Sequence, residues 1–175
     1  AMSTQEPLIT ARPASYLETV EDAIVTALKA GVEGGVKVEN FPADVLTYDF
    51  AGLDAAALVH YKGSNFQGRE GPANLNQNRR MNFAIVLLVR NLRGRSGAYH
   101  ALEDIRLSVQ GVAFEGAGPA EIVSDALVSE VQGQWRWEIV IGLGAPAVAR
   151  DARIPSPLMR PVTQEAQIPG RNGNV

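Results

Sequence analysis

The chain has 175 residues, a net charge of -3, no cysteine, and 46% hydrophobic against 20% charged residues. That is long enough for one domain with a sizeable core and too apolar for a disordered chain. The missing cysteine excludes disulfides, cysteine-ligated metals and thiol nucleophiles, and fits a cytoplasmic origin; the acidic balance argues against a nucleic-acid binder.

Residues 1–14, with Pro7 and Pro13, lack periodicity and read as an N-terminal arm, and Ala1 ahead of Met2 reads as a tag remnant. Ser15 and Glu18 have the spacing of a capping box. Leu17, Val20, Ile24, Ala27 and Leu28 then recur at helical spacing, with Gly31 as the expected left-handed stop. "VKVENF" (Val36 to Phe41) and "AALVHY" (Ala56 to Tyr61) read as strands. "KGSNFQGREGPANLNQN" (Lys62 to Asn78) reads as a long mobile loop. "RRMNFAIVLLVR" (Arg79 to Arg90) is apolar on both faces, which places it in the middle of a sheet.

A second helix is expected from about Gly97 to Gln110, with Ser96 as its N-cap, Ala98, Ala101, Leu102, Ile105 and Val109 as its apolar stripe, and Gly111 as its end. "EIVSDALVSEV" and "QWRWEIVIGL" flank Gln132-Gly133, a hairpin signal. The order is α-β-β-β-α-β-β, which predicts a single α+β domain over 15–145. Its sheet is mixed or antiparallel, with both helices on one face. From Pro146 to Val175 five prolines and no period predict an extended C-terminal arm, with Ile154, Leu158, Met159, Val162 and Ile168 as its apolar points. No apolar run approaches the ~20 residues of a membrane span, and no signal peptide is visible.

The stretch "NLRGRSGAYHALEDIR" (Asn91 to Arg106) collects residue types that carry chemistry, yet none is in a working arrangement. Gly94-Arg95-Ser96-Gly97 is not the Gly-x-Ser-x-Gly elbow, and His100 sits on a helical turn rotated away from Ser96. No phosphate-loop or dinucleotide fingerprint is present, so no nucleotide cofactor is expected. His100 with Glu103 lacks further metal ligands, and a helix-surface histidine near carboxylates is more often solvated. Trp135 and Trp137 alternate with Ile139, Ile141 and Leu143, which reads as core or core edge.

Charge is unevenly placed. Residues 1–59 hold nine acids and three bases, while residues 60–110 hold eight bases (Lys62, Arg69, Arg79, Arg80, Arg90, Arg93, Arg95, Arg106) and three acids. Either folding mixes these blocks or the molecule presents unlike faces to unlike partners.

"VEDAIVTALKA", "ALVHYKGSNF", "RRMNFAIVLLVRNLRGRSGAYHALEDIRLSVQGV" and "GQWRWEIVIGL" together resemble the small tail protein of Mu-like phages and prophages, a domain of unknown function. The resemblance spans roughly residues 17–145, and the family is similar to the tail terminator and tail-completion proteins of long-tailed phages. It implies a virion tail subunit assembled as a hexameric ring on the tail tube, with tube and head–tail connector proteins as partners and DNA as passing cargo. It implies no enzyme activity, no cofactor and no membrane. Arg90, Arg93, Arg95, Lys62 and Arg69 are the candidate contacts with tube or neighbouring subunits, and Ile154, Leu158, Met159 and Val162 those of an inter-subunit arm. The alternative from another class is an anion- or nucleic-acid-binding domain using Arg79, Arg80, Arg90, Arg93 and Arg95.

Overall fold

A computed structural model of the chain describes residues 12–43, 48, 50–68 and 77–147. The first helix, α1 (Tyr16–Gly31), begins where its capping box predicts: Ser15 Oγ accepts the Glu18 amide at 3.3 Å while the Glu18 carboxylate accepts the Ser15 amide. The bond from the Ser15 amide, then that with the hydroxyl, holds the Glu18 carboxyl below its ordinary pKa. Strands β1 (Lys37–Asn40), β2 (Ala55–Phe66) and β3 (Gln77–Val89) follow, then α2 (Ala98–Val109), β4 (Glu121–Val131) and β5 (Gln134–Ala147). The five strands lie in the order β1-β2-β3-β5-β4. β1 is parallel to β2 and every other pair is antiparallel, so the sheet is mixed and the fold is the expected α+β domain.

β3 is central, as its two-sided apolar pattern predicts. Met81, Phe83, Ile85, Leu87 and Val89 are fully buried in one cluster with Val20, Ile24 and Leu28 of α1 and Ala101, Ile105 and Val109 of α2. Both helices therefore cover the same face. Each large side chain in that layer contributes about 1.5–3 kcal/mol through burial. Registry extends the face outward: Phe83, Ile85 and Leu87 stand opposite Ile141, Ile139 and Trp137 of β5. Ala84 and Val86 point the other way and are buried too, on a face that carries no helix among the described residues. There the connection from β1 to β2 brings in Phe50, 7% exposed. The β4–β5 hairpin turns at Gln132 (φ 51°) and Gly133 (φ 76°), as the dipeptide predicts.

Four expectations need correction. The stretch Lys62 to Asn78 is not one loop, because β2 runs on to Phe66 and β3 starts at Gln77. Gly63 (φ 142°) takes a bulge that lets β2 continue past its apolar part, and residues 69–76 lie outside the described residues. The C-terminal arm does not begin at Pro146, which pairs with Asn78 inside β5. Proline is tolerated there because β4 stops pairing at Gly142, leaving the outer side of β5 free of a strand among the described residues. The rest of the expected arm, 148–175, lies outside the described residues.

The two helix-boundary corrections concern backbone proximity. Gly31 is not a left-handed stop; it is the last helical residue, and Val32 caps the helix in extended conformation. A Cβ on Gly31 would lie 2.1 Å from Ser108 Oγ and 3.0 Å from its Cβ, so this glycine lets α1 approach α2. Ser96 is not the N-cap of α2: that position is Gly97, with no side-chain cap bond. The chain turns too tightly for anything larger. A Cβ on Gly97 would fall 2.6 Å from the Arg93 carbonyl carbon and oxygen and 2.8 Å from its nitrogen. Gly111 (φ 78°) does end α2 as expected.

These contacts set two outcomes. Gly97→Ala should cost about 2–3 kcal/mol, because only backbone could move aside. Ser96→Ala should stay within about 0.5 kcal/mol. Chemical denaturation reads both, and equal effects would contradict the assignment of the cap. Gly31→Ala should fail to deliver the roughly 1 kcal/mol that helix propensity alone offers. Pairing it with Ser108→Ala, which removes the hydroxyl that lies closest and keeps a good helix former in α2, should recover part of that gain; a single variant already stabilised would show that this contact does not oppose a side chain at position 31.

Candidate functional site

The cations expected to form a contact surface are divided by β3 itself. Arg79 and Arg80 lie near its start and Arg90 just beyond its end. Ten residue steps at ~3.3 Å put Arg80 and Arg90 roughly 33 Å apart. A single compact patch containing Arg79, Arg80, Arg90, Arg93 and Arg95 is therefore not built.

Most of these side chains are also engaged locally. Arg79 Nε donates to Ser64 Oγ at 2.8 Å and Nη2 to the Tyr61 hydroxyl at 3.3 Å, with the guanidinium 5.6 Å from the Phe66 ring centroid. Burial raises the Tyr61 pKa, but the bonds with Ser64 and Arg79 and the Arg79 charge outweigh it and leave the hydroxyl below its ordinary value. Arg80 pairs with Glu121 at 2.7 Å, and Lys62 pairs with Glu138. Arg90 Nε donates to the Leu53 carbonyl at 3.0 Å, and its guanidinium sits 5.1 Å from the Phe50 ring. It fastens the β1–β2 connection to the end of β3.

That leaves the loop before α2. Arg93 stacks over Tyr99 at 5.8 Å, and exposed Arg95 forms no ion pair among the described residues. The structure leaves these two expected contact residues exposed on the same loop, while Arg90, also exposed, is held by the Leu53 carbonyl and the Phe50 ring. Arg69 lies outside the described residues, as do Ile154, Leu158, Met159 and Val162. The helix start offers no anion cradle, because the Ala98 and Tyr99 amides donate to the Asn91 and Leu92 carbonyls at 2.9 and 3.1 Å. His100 is exposed, and His60 stands edge-on to Phe41 at 5.0 Å on the helix-free face. Among the described residues no group of three or more His, Asp and Glu is placed to hold a metal.

Among the described residues β4 has no strand on its outer side. It is an edge strand of 11 residues, all exposed except half-buried Ile122. Val123, Leu127, Val128 and Val131 are 51%, 45%, 51% and 63% exposed. Register shifts after Ile122 and Leu127 insert Val123 and Val128 as extra residues, so apolar groups appear on both sides of the strand. The adjacent pairs Ile122-Val123 and Leu127-Val128, which break the two-residue period, are the signal that sequence reading passed over. Trp135 and Trp137 are half-buried at the margin of the helix-covered core, the expected core edge.

A chain of the solved structure "Virion of native gene transfer agent (GTA) particle" is similar over 76% of this chain and 100% of that one, at 12% identity and a TM-score of 0.49. Likeness at that level assigns nothing to this chain. No curated protein matches the sequence. The family model described as Gp37 protein matches residues 24–166, from within α1 through β5 and on past the point where the tail-protein resemblance stops. By that match the chain belongs to the Gp37 protein family.

Proposed function

We propose that the protein is a structural subunit of a phage-type virion, a tail terminator or tail-completion protein that forms a ring at the end of the tail tube. The observation that carries this reading is the β4 edge. An edge strand this long with four exposed aliphatic side chains supports that reading, because such an edge offers both unpaired backbone and apolar surface to a neighbour. The family membership and the sequence resemblance to Mu-like tail proteins supply the setting.

The two free edges of the sheet are unlike: β1 has four residues and pairs in parallel, whereas β4 has 11 and pairs antiparallel. Unlike surfaces meet head to tail, and such contacts close into rings when the rotation permits. Six subunits is the number the resemblance implies. Arg93 and Arg95 are the candidate tube contacts. The stretch 148–175, with Ile154, Leu158, Met159 and Val162, is the candidate inter-subunit arm. Its prolines reduce the entropy lost on docking.

Light scattering of the chain alone and with the tube protein tests the reading. A monomer at low micromolar concentration that also ignores the tube protein would overturn it. Val123→Lys with Val128→Lys should shift the oligomer toward monomer while circular dichroism is unchanged, since each exposed site costs within about 0.5 kcal/mol of fold stability. An unaltered mass would place the interface elsewhere. Charge reversal at Arg93 and Arg95 together should weaken tube association, most at low salt. Deleting residues 150–175 should lower the number of subunits per oligomer and spare the fold; an unchanged subunit number would remove the arm from the assembly.

A further inference from the structure

The helix-free face of the sheet holds a groove between the β1–β2 connection and the β4–β5 hairpin. Leu58, Val86 and Leu88 line it. Phe41 and Phe50 stand on one side, and Val131 and Arg136 on the other. Its volume is about 310 Å³. Small-molecule sites run from about 300 to 1,000 Å³, so this one suits a single large side chain better than a cofactor.

Arg136 is the unusual member. Three other cations on this face have carboxylate partners: Lys37 with Glu39 at 3.1 Å, Lys62 with Glu138, and Arg80 with Glu121 at 2.7 Å. Arg136 has none among the described residues, and its Nε is buried without an acceptor. Tyr48, also lining the groove, cannot supply the anion. Burial, then the nearby Glu39 carboxylate, push its hydroxyl pKa up to about 12, so it stays neutral. The half-buried guanidinium has its Nε–H cut off from water beside an apolar floor and without an acceptor, and a charged acceptor makes the strongest bond to it.

We propose that this groove binds an extended polypeptide segment of another protein that carries an aromatic or branched apolar side chain next to a carboxylate. The apolar group fills the space over Leu58, Val86 and Leu88, and the carboxylate pairs with Arg136. The groove's chemistry stands by itself; only the assignment of its occupant to a protein of the same particle rests on the assembly reading above.

Methyl and guanidinium NMR of the full chain tests this with two capped dipeptides, acetyl-Phe-Asp-amide and acetyl-Phe-Asn-amide. The acidic peptide should give saturable shifts at Leu58, Val86, Leu88 and the Arg136 Nε–H, with the neutral one about tenfold weaker. Arg136→Gln should bind both peptides equally. Arg136→Met, which leaves no buried donor unpaired, should raise the Tm of the free chain. Equal affinity of the unaltered chain for both peptides, or shifts confined to other residues, would overturn the proposal. So would a lower Tm in Arg136→Met, which would make the arginine a structural residue. None of these readouts depends on the oligomer mass, so the groove and the ring can fail separately.

Discussion

The fold is organised around a single strand whose middle is buried on both sides. β3 carries both long antiparallel ladders, to β2 and to β5, and its residues 81–89 set which face every neighbour turns inward. A slip of one residue would carry Phe83, Ile85 and Leu87 out of the helix-covered layer and put Ala84 and Val86 in their place. Register is therefore held by volume: the large side chains fill the space under the helices, and the small ones suit the thinner cover opposite.

That difference in cover is what gives the molecule its surfaces. Two helices seal one face, and where they meet, Gly31 against Ser108 keeps them close. Among the described residues the other face receives the short connection fastened by Arg90. The hairpin of β4 and β5 extends beyond both, so β5 is half core and half margin. The loop that turns β3 into α2 has glycine at the position where its backbone folds back on Arg93, and its polar groups satisfy one another. Ser96 stands beside that turn as a bystander, which is why a serine between glycines near a histidine carries no chemistry here.

Element order, the central strand, both helix stripes and the hairpin turn were legible in the sequence, because each rests on a local period or on one special backbone conformation. What was not legible depends on distance across the chain. Gly31 resembles any helix-ending glycine until Ser108 is seen beside it. Arg79, Arg80, Arg90 and Arg93 look like one basic run on paper, yet a strand draws out in space what the sequence crowds together. Lys62 resembles a free loop cation until Glu138 is found across β3. Pro146 argues against a strand unless the neighbouring strand is known to have ended. The candidate contact residues were named by charge density alone, and that criterion misses aliphatic exposure such as that of Val128.

The bulges of β4 bear on what kind of polymer such an edge can seed. A flat apolar edge is a template for fibrils without end, because each strand added offers the next one the same invitation. Extra residues at Val123 and Val128 sharpen the twist twice within one strand. Two copies of so coiled an edge stay aligned for only a few residues before diverging. The same valines that make the strand adhesive thus sit at its bulges, a device by which edge strands work against open-ended stacking.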